Sequence, residues 1–182
     1  MQFSPESTSL VCGNLQDMPT RNHGNLLRGR PFSRMVLSGA EKNDMCNLVA
    51  YVDGSSHGSP GPSGIGIIVE DSAGGCVRIA KSIGWQDNNV AEYVALLEAL
   101  QCALDRRALS LHVYSDSEVV VRQMRGDYAC RSSRLYSLHW ICRKLARSLE
   151  FAITRIPRER NLEANHLANS VARQCREIST VG

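Results

Sequence analysis

Three acidic residues and one amide stand in four short, separate segments of this 182-residue chain: Asp53 in YVDGSS, Glu92 in NNVAEYVALLEAL, Asp116 in YSDSE and Asn165 in NLEANHLAN. Carboxylates gathered at one point repel one another, so without compensation they take up protons or weaken the fold. A divalent cation resolves that conflict. Oxygen-only ligands favour Mg²⁺ or Mn²⁺ over zinc, and two such ions roughly 3.5–4 Å apart activate a water and stabilise the leaving oxygen of a phosphodiester. Taken singly, each acid also fits an ordinary role: Asp53 a turn residue, Glu92 a partner of a helix N-terminus, Asp116 a helix N-cap. The metal reading rests on their combination.

Bringing these residues together requires a particular order of elements. Asn47 to Val52 reads as a strand, Gly64 to Glu70 as a second after the turn SHGSPGPSG, and Cys76 to Gly84 as a third after Ala73-Gly74-Gly75. Short links between them make an antiparallel meander. From Asn89 to about Arg107, Val90, Tyr93, Val94, Leu97, Leu100 and Leu104 recur at helical spacing behind a cap at Asn88 or Asn89. Leu109 to Ser115 is a fourth strand, Ser117 to Arg125 a short helix and Ser132 to Leu149 a longer one. Glu150 to Ile156 is the last strand and Leu162 to about Glu177 the last helix. The order βββαβααβα calls for a mixed five-stranded α/β sheet flanked by helices. Asp53 then ends the first strand, Asp116 ends the fourth, and Glu92 lies in the first turn of the first helix. Functional groups of such sheets gather at strand ends and at the helix starts that follow.

Composition sets the bounds. At 43% apolar residues, with no apolar run near the roughly 18 needed to span a bilayer, the chain reads as one soluble domain plus extra length. Residues 1–46, rich in Ser, Asn, Gly and Pro, are expected to be a disordered tail, residues 47–177 the domain and 178–182 a C-terminal tail. Net charge is only +3, yet nine arginines against three acids lie between Arg122 and Arg160. A basic stripe along two consecutive helices is the electrostatic footprint of a nucleic-acid partner. Seven cysteines without a CxxC pair argue for reduced thiols in the cytoplasm and against a zinc ribbon or a disulfide framework. His139 and Cys142 share a helix face but have no second ligand pair, so core packing is expected of them. His57 is read as a solvated turn residue, with approach to the substrate as the alternative, and His166, about 100° around its helix from Asn165, as a surface residue.

The run DGSSHGSPGPSGIGIIV, the segments NNVAE and YSDSE and the late run PRERNLEANHLAN resemble the successive motifs of type 1 ribonuclease H, over about residues 47 to 175. The resemblance implies the ribonuclease H-like fold and endonucleolytic cleavage of the RNA strand of an RNA/DNA hybrid, leaving 5′-phosphate and 3′-hydroxyl ends. It implies Asp53, Glu92 and Asp116 as ligands of two Mg²⁺ or Mn²⁺ ions, with Asp116 near the attacking water. Asn89, with its neighbour Asn88, and Gly54, Ser55 and Ser56 would face the RNA 2′-hydroxyls. Arg158 stands where relatives hold His or Arg. Because arginine cannot act as a general base near neutral pH, charge stabilisation or product traffic is its expected part. The short Gly126 to Arg131 connection leaves no room for a basic protrusion, which places the chain beside the compact bacterial and archaeal branch.

The chain departs from that pattern at three positions. Asn165 replaces the fourth acid, supplying an amide oxygen without charge, and one charge is worth up to about 4 kcal/mol at 4 Å and an effective dielectric of 20. Looser metal binding is expected. Glu118 stands where relatives place Gln to contact the minor groove; it weakens hybrid binding or, near the ions, replaces some missing charge. Ser59 stands where many relatives have Asn. The expected function is two-metal hydrolysis of RNA in hybrids by a monomer, with Asn165 as a weakened ligand and Arg158 assisting. The alternative is a catalytically weakened module that binds hybrids or double-stranded RNA.

Overall fold

The structure, a computed structural model, describes residues 46–180. The expected N-terminal tail lies outside the described residues except for Cys46, while residues 178–180 of the expected C-terminal tail continue the last helix. Five strands, β1 (Asn47–Ser56), β2 (Gly61–Asp71), β3 (Cys76–Gln86), β4 (Ser110–Ser115) and β5 (Glu150–Arg155), alternate with four helices in the expected order. The helices are α1 (Asn88–Asp105), α2 (Glu118–Arg125), α3 (Ser133–Ala146) and α4 (Leu162–Thr180). The sheet runs β3-β2-β1-β4-β5, with β1 antiparallel to β2 and parallel to β4. Among the described residues no helix is long and apolar enough to cross a membrane.

Strand alternation separates two layers. Leu48, Ala50 and Val52 of β1 and Ile65 and Ile67 of β2 join Tyr93, Leu96 and Leu100 of α1 in one buried cluster. On the other face α4 packs across β2, β1 and β3. There a Cβ at Gly64 or Gly66 would overlap the α4 backbone at Ala168 or Ala164, so β2 carries glycines where that helix lies closest. The same device seats α1: a Cβ at Gly54 would overlap the backbone of Ala91 and Glu92.

That close seating changes which face of α1 is inside. The buried residues are Ala91, Glu92, Tyr93, Ala95, Leu96, Ala99, Leu100 and Ala103, a stripe of small side chains. Val94, Leu97 and Leu104, expected in the core by spacing, are only half-buried. The cap also differs from expectation. Asp87, not Asn88 or Asn89, accepts from the Val90 backbone N–H at 2.9 Å, which starts the helix one residue earlier and puts Glu92 beyond its first turn.

Between α1 and α2 the buried polar groups answer one another, as the low interior dielectric demands. Tyr93 Oη donates to Gln123 Oε1 at 2.6 Å, and the Tyr93 ring meets His139 edge-on. Cys142 is fully buried in the core as expected, whereas His139 is half-buried against the Tyr93 ring. The five cysteines among the side chains described are all unpaired thiols.

Candidate active site

The parallel ladder between β1 and β4 ends at Val52 and Ser115. Asp53 and Asp116 are the next residue of each segment, the first positions released from that pairing. β1 itself continues to Ser56 against β2. Asp53 is therefore inside its strand, and not at its end as the sequence suggested. Asp116 follows β4 directly; Ser117, not Asp116, caps α2 by accepting from Val120 N–H. Glu92 arrives from α1 over Gly54.

Ligand oxygens of Asp53, Glu92 and Asp116 lie within 4.8 Å of one another. Asp53 is 2% exposed and Glu92 6%, so solvent screens little of their repulsion. Burial first, and then the Asp116 charge, raise the Asp53 carboxyl to about 7, against the Asn165 hydrogen bond and the Arg158 charge. Burial pushes Glu92 well above the usual carboxylate range, with further push from Asp53 and Asp116; a hydrogen bond from the Gly54 backbone and the Arg158 charge act the other way. One oxygen of Glu92, Oε2, is buried without any hydrogen-bond partner. An orphaned buried oxygen among three clustered carboxylates is the donor set that a hard divalent cation satisfies, and the residues present fit such an ion.

Asparagines surround the acids. Asn165 Nδ2 donates to Asp53 Oδ2 at 3.0 Å. Its Oδ1 accepts from Asn169 Nδ2 at 3.0 Å, and Asn169 Oδ1 accepts from the Ser55 hydroxyl at 2.7 Å. A chain of side-chain bonds thus runs from Ser55 through α4 to Asp53. Asn161, 1% exposed, donates to the Val52 carbonyl at 2.9 Å and to Asp116 Oδ1 at 3.0 Å. It ties the end of the ladder to the second aspartate. Sequence reasoning missed Asn161 and Asn169; the repeated Asn at 161, 165 and 169, one turn apart, was the available signal.

The other named residues are placed as follows. Arg158 opens an exposed 3₁₀ turn, Arg158–Arg160, within electrostatic reach of Asp53 and Glu92. Asn88 and Asn89 are exposed at the start of α1. Ser56 Oγ lies within hydrogen-bonding distance of the Gly58 and Gln86 carbonyls. Glu118 is outside the acidic cluster; Arg122 at 2.9 Å and Arg155 at 3.1 Å hold its two oxygens. Its suggested role as a substitute charge beside the ions finds no place in this geometry. His57 corrects another expectation: its Nε2 is buried and unpartnered, not solvated. His166 is exposed, as expected.

The arginine stripe is partly consumed internally. Arg125 donates to the Ile153 carbonyl through Nε at 2.9 Å and Nη2 at 2.7 Å, fastening α2 to β5. Arg134 faces Asp87 at 3.5 Å.

A β3-β2-β1-β4-β5 sheet, flanked by helices and carrying three acids at the end of its parallel pair, defines the ribonuclease H class of fold. The family described as "Reverse transcriptase-like" matches residues 51–171. The ribonuclease HI of Halobacterium salinarum is 32% identical over 75% of this chain and 74% of its own length. The crystal structure of the RNase H1 of that archaeon superposes with a TM-score of 0.67 at 33% identity, covering 70% of this chain and 98% of that one. The N-terminal RNase H domain of a Mycobacterium tuberculosis protein gives 0.70 at 31% identity, covering 74% and 99%. The full-length bifunctional protein is 35% identical over 67% of this chain, which spans only 34% of that protein. LC11-RNase H1, solved in complex with an RNA/DNA hybrid, gives 0.65 at 31% identity over 70% of this chain and 98% of its own. The chain belongs to the ribonuclease H-like family and is a ribonuclease H enzyme.

Proposed function

We propose that this protein hydrolyses the RNA strand of RNA/DNA hybrids with two divalent ions, Mg²⁺ or Mn²⁺, leaving 5′-phosphate and 3′-hydroxyl ends. The observation that carries this reading is the mutual approach of Asp53, Glu92 and Asp116 within 4.8 Å, with a buried Glu92 oxygen unanswered. Bound there, the ions supply activation of the attacking water and stabilisation of the leaving oxygen. The solved complex of LC11-RNase H1 with an RNA/DNA hybrid supports the choice of substrate.

Each residue then has a physical task. Asp53, central and buried, faces both other acids; Asn161 fixes the rotamer of Asp116, and Asn165 that of Asp53. Arg158 offers an exposed, permanently charged guanidinium beside the acids, suited to the phosphate charge that appears on cleavage. Asn88 and Asn89 and the Gly54–Ser56 stretch present polar groups to the ribose 2′-hydroxyls, the feature that separates RNA from DNA. The amide oxygen of Asn165 serves as a weak fourth ligand only after exchanging its bond to Asn169. All of these groups come from one polypeptide, which supports action as a monomer. Unpaired cysteines support a cytoplasmic setting.

A second reading is favoured by one observation. Asn165 turns its NH₂ group, not its oxygen, toward Asp53, which suits a hybrid-binding or double-stranded-RNA-binding module with little chemistry. Gel-resolved cleavage of an end-labelled hybrid across Mg²⁺ and Mn²⁺ series, with Asp53→Asn beside the parent chain, separates the two. RNA-strand cleavage that Asp53→Asn abolishes supports the enzyme. Hybrid binding without cleavage under either metal supports the module.

A further inference from the structure

The outward face of α3 sets exposed aromatic rings among basic side chains. Its sequence, SRLYSLHWICRKLA, contains no acid. Tyr136 and Trp140 are 59% and 54% exposed and stand one helical turn apart on the same face. With His139, Arg143, Lys144 and Arg147 they line a groove of about 280 Å³. The floor is fixed, because His139 lies within hydrogen-bonding distance of the Gln123 carbonyl and packs on Tyr93. The Lys144 ammonium sits 5.2 Å from the centre of the Trp140 ring. Arg143, Lys144 and Arg147 take part in no ion pair among the described residues, whereas Arg122, Arg134 and Arg155 all do.

Exposed rings framed by uncommitted cations match a polyanion that also offers flat apolar faces. A duplex hides its base faces, so phosphates alone would leave both rings unused. Unpaired nucleotides offer both features, and stacking on aromatic side chains beside a basic track is how sequence-tolerant single-strand binding works. The position suits such a strand. Arg134, in the first turn of α3, meets Asp87, the cap of α1. Trp140 and Lys144 lie roughly 9 and 15 Å farther along the helix axis. A strand on α3 thus reaches the active-site rim within a few nucleotides.

We propose that the Tyr136–Trp140–Lys144 face of α3 binds single-stranded nucleic acid flanking the hybrid, so that hybrids with unpaired flanks are the preferred substrates. The test uses the full chain carrying Trp85→Phe, which leaves Trp140 as its only tryptophan. An oligo(dT) of about 12 nucleotides, within the site size of such grooves, is titrated in EDTA. The expected results are quenching of Trp140 emission and, by anisotropy of a fluorescein-labelled oligo(dT), an affinity that Trp140→Ala lowers about fivefold to a hundredfold. Arg143→Gln and Lys144→Gln should each reduce the salt slope by about one. Cleavage of a blunt hybrid by Trp140→Ala should match the parent, while its advantage on flanked hybrids is lost. Unchanged emission with unchanged affinity in Trp140→Ala overturns the proposal. So does quenching by poly-glutamate without quenching by oligo(dT), which would assign the face to an acidic protein. A chain that binds oligo(dT) through Trp140 but never cuts a hybrid would keep this site and remove the catalytic reading.

Discussion

Asn165 donates to Asp53 Oδ2 across 3.0 Å, joining the last helix to the central strand at the most buried acid of the cluster. The bond makes Asn165 a stabiliser of ionised Asp53, since an amide N–H favours the charged carboxylate it faces.

Replacing that donor with a fourth acid should have opposite effects in the two metal states. In EDTA, Asn165→Asp loses a hydrogen bond to a charged group and adds a carboxylate, so stability should fall by about 2 kcal/mol. With Mg²⁺ present the extra charge should tighten ion binding and lower the concentration needed for half-maximal cleavage. Thermal melts with and without Mg²⁺, beside a cleavage titration, check both signs. A variant equally stable in EDTA would remove the role given to the Asn165 bond.

The metal-free protein should lose stability as pH rises. Asp53 and Glu92 both bind protons more tightly folded than unfolded, so their contribution is full below about pH 4 and fades as pH passes the folded value, about 7 for Asp53. For Asp53 alone, a rise from 3.8 to about 7 corresponds to a loss on the order of 4 kcal/mol. Urea unfolding in EDTA at pH 5 and pH 8 captures the part of that loss above pH 5, about 3 kcal/mol for Asp53. Saturating Mg²⁺ at pH 8 should restore much of the loss by binding the folded state.

Gly54→Ala places a methyl group against the backbone of Ala91 and Glu92. Overpacking of this kind costs about 1–3 kcal/mol, and here it also displaces the Glu92 carboxylate from the acid cluster. Cleavage should drop more than the melting temperature alone accounts for. Comparing kcat with the folded fraction from circular dichroism at the assay temperature distinguishes the two losses.

Asn169→Ala removes the middle of the chain from Ser55 to Asp53 while leaving every acid in place. We expect a stability loss of about 1 kcal/mol and an increased Mg²⁺ requirement, because Asn165 is then free to rotate. A Mg²⁺ titration of cleavage that overlays the parent curve would show that Asn169 does not position the site.

Glu118→Gln should strengthen hybrid binding. Releasing Arg122 and Arg155 from one carboxylate frees two cations near the site, so affinity should rise a few-fold and the salt slope steepen by about one. Fluorescence anisotropy with a labelled hybrid at several salt concentrations measures both.

Element order and the convergence of Asp53, Glu92 and Asp116 could be read from the sequence, because strand alternation, helical periodicity and acids beside turns are local signals. What escaped depended on tertiary packing. Asp87, Asn88 and Asn89 are three adjacent residues able to cap a helix, and only the approach of α1 to β1 selects Asp87. That same approach, through Gly54, buries alanines where the larger Val94 and Leu97 were expected. Asn161, just ahead of the last helix, and Asn169 within it, taken singly, carry no local signal of their part, since an amide takes its role from the atoms it meets. The reach of β1 to Ser56 was hidden because its last residues pair only with β2.

The bond between Asp53 and Asn165 spans 112 positions of sequence, and among the described elements α4 is the last in chain order. A ribosome-bound chain therefore holds its central strand early but cannot assemble the acid cluster with its amide supports until α4 has emerged. Until then the bare glycine face of β2 lies open, without the helix that covers it. A truncated product ending before residue 161 would have all three acids and no asparagine to orient them. Emergence of α4 is thus also the step that arms the molecule.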